Sequence, residues 1–177
     1  VAVIDVPSQA YGRREEAFGI HQALAGAAGA YARARLAGHP VVGLIVGKAM
    51  SGAFLAHGYQ ANKLIAFKNN GVMIHAMGKE SAARITLRSV DALEKLAATI
   101  PPMAYDIENY ATLGLLSQLL DIADPDSATP DDIARVENTV WQNILDARKE
   151  GVSLSNRLGA ENRASSQRVR QQMRQEW

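Results

Sequence analysis

The run Val41–Gly58, VVGLIVGKAMSGAFLAHG, constrains this chain more than any other segment. Its first six residues, Val41–Val46, are almost all apolar and show no polar alternation. A strand with that pattern is buried on both faces, as happens in a parallel sheet covered by helices. Small residues follow at once, from Gly47 to Ser51, and predict a tight turn. Gly52–Ala61 then reads as a short helix of small and apolar residues. A strand that turns directly into a helix commits the chain to an α/β layered architecture.

Such a junction can also do chemistry. The first N–H groups of a helix lack internal partners and sit at the positive end of its dipole. Small residues let a substrate approach them, so an N–H can face an oxygen on which negative charge develops. Small residues at a strand–helix junction are equally consistent with close packing alone. Ser51 offers a rival reading as a nucleophile elbow, with His57 or His75 as base and Asp5 as orienter. Both outer glycines of that motif are replaced, in Ala49-Met50-Ser51-Gly52-Ala53.

The rest of the chain agrees with the α/β reading. Val1–Val6 predicts another buried strand, and Pro7–Gly12 a loop. The apolar spacing of Ala17, Ile20, Leu24, Ala27 and Tyr31 predicts a helix over Arg13–Ala37. Gly38-His39-Pro40 stops it. Leu64–Phe67 and Val72–Ile74 predict two short strands joined by the turn Lys68–Gly71. After Gly78 the pattern turns helical: Ser89–Thr99, stopped by Pro101-Pro102, then one or two helices over Tyr105–Leu120. Asp121–Ala128 is a polar connector. Thr129, Pro130, Asp131 and Asp132 mark the start of a helix, whose expected core face is Ile133, Val136, Val140 and Ile144. These patterns divide the chain into a core over 1–125 and C-terminal helices over 126–177 that pack on the core or on a partner.

Bulk properties exclude several classes. With 177 residues, 47% apolar and 21% charged, the chain can bury a globular core. A net charge of +1 argues against a whole-surface nucleic-acid binder. From Ala147 onward seven Lys/Arg face three Glu, which reads as a solvated or partner-facing tail. The absence of cysteine excludes disulfides and thiolate chemistry and fits a cytoplasmic protein. No metal-spaced His/Asp/Glu cluster occurs, so no metal is expected. No apolar run reaches the roughly 18–20 residues of a membrane span, so no membrane partner is expected. The chain opens inside a strand pattern without an initiator Met, and an N-terminal part is expected to precede it.

Three segments carry a family resemblance. Asp5-Val6-Pro7-Ser8-Gln9-Ala10-Tyr11-Gly12, followed by Glu15-Glu16, resembles the I-D-T-P-G-A-Y-P-G…E-E run of the carboxyltransferase α subunit of acetyl-CoA carboxylase. Gly47-Lys48-Ala49-Met50-Ser51-Gly52-Ala53 stands where that family has G-E-G-G-S-G-G. Val72–Gly78 stands where it has Y-S-V-I-S-P-E-G. The replacement of the glycine pair by Ala49-Met50, and of S-P-E-G by His75-Ala76-Met77-Gly78, is closer to the γ subunit of malonate decarboxylase. The Clp proteases have a similar S-A-S-M-G-A-F segment, but Met50 occupies the place of their catalytic serine.

The resemblance implies a crotonase-like ββα spiral with a helical C-terminal region. It implies a malonate decarboxylase component that turns a malonyl thioester into an acetyl thioester through an enolate held by backbone N–H groups. Ala49 and Met50 are then the expected donors, with Gly47 permitting the turn. Ser51, Gly52, Gln9, Tyr11 and His75 are the expected substrate-binding residues. For His75 a pocket wall, a proton donor and a core histidine all remain open. The implied partners are the malonate decarboxylase β subunit, an acyl carrier protein and an acyl-carrier transferase subunit. No cofactor is expected on the chain itself, the CoA-like prosthetic group of the carrier protein bringing the substrate. Two alternatives stay open, a biotin-dependent carboxyltransferase subunit and a non-catalytic scaffold subunit.

Overall fold

A computed structural model describes all residues from Val1 to Trp177. The sheet is built around β2, Val42–Met50, the longest strand. β1, Ala2–Val6, lies parallel to it on one side. On the other side β2 has two parallel partners in succession. Its first half pairs with β3, Lys63–Phe67, and its last three residues pair with β4, Met73–His75. The expected turn over Lys68–Gly71 therefore joins two strands that pair with β2 rather than with each other. β5, Gln118–Leu120, extends the sheet beyond β3.

Ile4, Val42, Ile45, Leu64 and Ile65 are fully buried and form the middle of the core. β2 and β3 are covered from both sides, while the edge strand β1 buries Ala2 and Ile4 and exposes Val3 and Asp5, so the buried strand expected over Val1–Val6 is buried on one face only. Full burial of one large apolar side chain contributes about 1.5–3 kcal/mol before entropy is counted.

Helices cover this sheet. The expected helix over Arg13–Ala37 is two, α1 (Arg13–Ala17) and α2 (Ile20–Leu36), because Gly19 adopts a left-handed φ of 79° between them. α3, Ser51–Ala56, follows β2 without a connecting residue. It is shorter than the expected Gly52–Ala61. α4 is Lys79–Thr86 and α5 is Val90–Ala97, capped by the Ser89 hydroxyl. Pro101–Met103 forms a single 3₁₀ turn. α6, Ile107–Ala111, is capped by Asp106.

The stretch Tyr105–Leu120 is only partly helical. Gly114, with φ 68°, ends its helical part. The Ser117 N–H then donates to the Leu64 carbonyl at 2.7 Å, and its hydroxyl oxygen lies 2.9 Å from the same carbonyl. This fastens the chain alongside β3 and makes β5 a strand instead of a helix.

α7, Pro130–Glu150, has the expected start, with a reciprocal cap between Thr129 and Asp132. It packs on β2 and β3. Its most buried residues are Thr139, Asn143 and Ala147, flanked by half-buried Val136, Val140 and Ile144, while Ile133 is exposed. The Ser117 hydroxyl donates to Asn143 Oδ1 at 2.6 Å, so a polar pair sits where an apolar stripe was expected. The basic segment α8, Ala164–Glu176, buries no residue. No helix is long and apolar enough to cross a membrane.

Candidate functional site

The junction between β2 and α3 is shaped by a register change. Ile4 stands opposite Ile45, but Val6 stands opposite Ala49, so β2 carries extra residues over this span. Gly47 lies in that irregularity. A Cβ there would stand 2.5 Å from Asp5 Cγ, so the position has no room for a side chain. The Asp5 carboxylate accepts the Lys48 N–H at 2.8 Å and satisfies the backbone that the irregularity leaves over.

The turn expected over Gly47–Ser51 is strand as far as Met50. Two features hold it extended. Ala49 pairs with Val6 on one side and Ile74 on the other, and Met50 pairs with His75. Both side chains are buried, Ala49 at 0% and Met50 at 5% exposure. The change of direction falls on one residue, Ser51, whose φ is 60°. A left-handed conformation costs a non-glycine residue about 1–2 kcal/mol. Ser51, Gly52 and Ala53 carry the first N–H groups of α3. Gln9 Oε1 accepts the Ala53 N–H at 3.3 Å, so Gln9 acts here as a helix cap.

Beside this junction lies a cavity of about 390 Å³. It is lined by Ser51 and Gly52 from the junction, His75 from β4, and Phe54, Leu55, Ile74 and Pro101 among the apolar walls. Tyr59 and Tyr110 add hydroxyl-bearing rings. Burial raises the Tyr110 hydroxyl well above the usual tyrosine value, with the neighbouring Tyr59 adding to the effect, so it stays protonated. No Asp, Glu, Lys or Arg lines the cavity. A mostly apolar pocket with a few polar groups suits a small organic ligand, and its low polarity strengthens any N–H that faces a developing charge.

Of the expected site residues, the cavity brings together Ser51, Gly52 and His75. Ala49 and Met50 lie in the strand behind it. Gly47 sits further back at Asp5, Gln9 caps α3, and Tyr11 is 77% exposed. Tyr105, which lines a neighbouring cavity and backs His75, and Tyr110 and Pro101, which line this one, all escaped sequence reasoning. The first two lie inside a stretch that reads as helix, and the Pro101-Pro102 pair reads only as a stop signal.

His75 is half-buried, and burial lowers its pKa below the usual histidine value, against a smaller opposing effect of the Met77 backbone. It is therefore neutral at pH 7. Its Nδ1 lies 3.0 Å from the Met77 carbonyl. Its ring stacks on Tyr105, with centroids 3.9 Å apart and planes 10° from parallel.

The nucleophile-elbow reading fares differently. Ser51 does have the strained backbone of an elbow, but it makes no hydrogen bond to a histidine. His57 is fully engaged, with Nδ1 2.9 Å from the Tyr31 hydroxyl and Nε2 2.9 Å from the Val3 carbonyl. It ties α2, the end of α3 and β1 together. Asp5 is bound to Lys48.

A larger cavity of about 440 Å³ lies on the other side of Ala104, which lines both. It contains none of the expected residues. Its Lys79 pairs with Glu94 at 2.8 Å and its Lys68 with Glu108 at 2.6 Å.

The parallel sheet flanked by helices, with its strand–helix junction opening on an apolar cavity, is similar to the crotonase-type fold of the carboxyltransferases. Transcarboxylase 12S shares this fold, at 22% identity and a TM-score of 0.61 over 81% of this chain and 27% of that one. Within that class the chain belongs to the malonate decarboxylase gamma subunit family, whose model matches residues 1–177. A Pseudomonas malonate decarboxylase hetero-tetramer, solved in complex with coenzyme A, contains a chain 62% identical to this one. The TM-score is 0.94, covering 99% of this chain and 67% of that chain. The Pseudomonas MdcD–MdcE hetero-dimer gives 57% identity and a TM-score of 0.88, over 99% and 65%. Malonyl-S-ACP:biotin-protein carboxyltransferase MADD of Malonomonas rubra is 36% identical over 123 residues. That match covers 69% of this chain and 42% of the Malonomonas protein, so the chain spans less than half of that relative.

Proposed function

We propose that this chain serves a malonate decarboxylase that acts on a malonyl thioester carried by an acyl carrier protein, yielding the acetyl thioester. The observation that carries the proposal is the cavity where the first residues of α3 meet His75, in a chain of this family. Relatives solved with coenzyme A and with malonate support the substrate class.

Loss of carbon dioxide leaves an enolate, with negative charge on the former thioester oxygen. The barrier falls when N–H donors are already aimed at that oxygen. Ala49 and Met50 were the donors expected from the sequence. Ala49 is paired on both sides and Met50 with His75, which makes Ser51 and Gly52, which line the cavity, the better candidates. Ala53 is engaged by Gln9. In this scheme Phe54, Leu55 and Pro101 exclude water from the thioester, and neutral His75 forms a polar wall beside the enolate.

The partners are a β subunit sharing the active site, the acyl carrier protein and an acyl-carrier transferase. The carrier's CoA-like prosthetic group brings the substrate, and the chain itself carries no covalent cofactor. A second reading rests on the Malonomonas relative, which passes its carboxyl group to a biotin protein by name. In that reading the same junction would face the biotin ureido oxygen.

The test is co-purification of the full complex from its source, followed by assay of malonyl-thioester decarboxylation with and without avidin. Turnover insensitive to avidin is the expected result. Turnover abolished by avidin selects the biotin-dependent reading. No turnover by the complete complex refutes both.

A further inference from the structure

Tyr105 lines the larger cavity next to Ala104, and the structure fixes its backbone against β4 from two sides. Its carbonyl accepts the Ile74 N–H at 3.1 Å, which ties it to β4 next to His75. The following residue, Asp106, bridges to Met73 and caps α6 by accepting the Asn109 N–H at 2.8 Å. These contacts hold the Tyr105 backbone between β4 and α6. Its face lies parallel to the His75 imidazole, 3.9 Å between centroids. Lys79 Nζ stands 5.4 Å from the same ring.

The tyrosine is 8% exposed, and its hydroxyl is buried with no hydrogen-bond partner. Burying an unpaired hydroxyl is unfavourable. The contact that Tyr105 does make is through the flat face of its ring.

We propose that Tyr105 is a positioning residue for His75: its ring, stacked on the imidazole, holds the histidine in the wall of the cavity shared with Ser51 and Gly52. The stacked face opposes rotation of the imidazole about χ2 out of the orientation in which Nδ1 meets the Met77 carbonyl and N–H. This rests on the proposed role of the cavity, and the test separates the two.

The first measurement is structural. In the assembled complex with ¹³C-ring-labelled histidine, the chain contributes only four histidines, and His75→Gln identifies the signal. The His75 ring protons are expected to show an upfield ring-current shift that Tyr105→Phe keeps and Tyr105→Leu removes. A shift unchanged in Tyr105→Leu overturns the proposal whatever the catalytic role of the cavity.

The second measurement is kinetic. Tyr105→Phe keeps the stack, so kcat is expected within about twofold of the parent and the melting temperature unchanged or higher. Tyr105→Leu is expected to lower kcat about ten- to a hundredfold, as misplacement of a site group by about 1 Å does, with KM changed much less. In the His75→Gln background Tyr105→Leu adds nothing further, because the effect passes through the histidine. Equal losses in Tyr105→Phe and Tyr105→Leu, or losses that multiply in the double variant, overturn the proposal. If His75→Gln leaves kcat untouched while the ring-current result holds, the positioning stands and the catalytic reading of His75 fails.

Discussion

Gly47, Ser51 and His75 each show how little tolerance the junction has. At Gly47 a methyl group would push the Asp5 carboxylate off the Lys48 N–H. Gly47→Ala is expected to destabilise the fold by about 1–3 kcal/mol, the usual cost of overpacking, in a denaturant titration of the complex. A change below about 0.3 kcal/mol would show that Asp5 gives way freely. Ser51 makes the opposite case. Its left-handed backbone favours glycine, so Ser51→Gly should raise stability by up to about 1 kcal/mol. It should also retain most of the decarboxylase activity, because the N–H survives. Loss of nearly all activity would revive the nucleophile reading.

For His75 the sign follows from burial, which disfavours the charged form and lowers the folded-state pKa. Between that lowered value and the ordinary histidine value of about 6.5, the unfolded chain binds a proton that the folded chain does not. Stability contributed by neutral His75 is therefore present above about 6.5 and lost as pH falls through the folded value. His75→Gln should flatten that part of the stability–pH curve. An identical slope in the variant would mean that His75 titrates normally.

The elements show what was legible in the sequence and what was not. β2 and β3 are plain, because a strand buried on both faces must be apolar throughout, whereas β1, expected to be buried in the same way, is an edge strand that exposes Val3 and Asp5. The start of α7 is equally plain, since Thr129, Pro130 and Asp132 act locally. The failures share a cause. β2 continues to Met50 because β1 and β4 pair with its end, and neither partner is written in the residues Gly47–Met50 themselves. β5 becomes a strand because Ser117 binds the Leu64 carbonyl, a contact 53 residues away in the chain. Ser51, Gly52 and His75, which line the cavity, could be picked out from a motif. Tyr105 could not, because only the register of β4 against the following loop brings it onto His75.

Arg157 belongs at this scale too. It is buried, and its guanidinium donates to the carbonyls of Tyr59, at 2.7 Å, and Ala61. It thereby pins the C-terminal segment to the loop between α3 and β3, with its charge matched by carbonyl oxygens instead of a carboxylate. Hydrogen bonds to a charged group contribute about 1.5–3 kcal/mol each. Arg157→Leu should cost about 3 kcal/mol or more and increase proteolysis after Gly151. An unchanged melting curve and digestion pattern would contradict this.

At the scale of the molecule, α2 buries none of its 17 residues, and Tyr11, Phe18, Leu36 and Leu55 are exposed. An incompletely covered face of this kind agrees with a subunit that works in a complex. The isolated chain should show little decarboxylation, and full turnover without any partner would refute a shared site.

The central claim is that the junction after β2 supplies a backbone donor to the enolate oxygen. An amide-to-ester exchange at residue 52 deletes the Gly52 N–H alone, and decarboxylation of a malonyl thioester by the assembled complex then reports on it. Loss of one such donor lowers kcat by about 10²–10³-fold. A fall of that size, with KM nearly unchanged, is the expected result. A kcat within about twofold of the unmodified complex would contradict the claim.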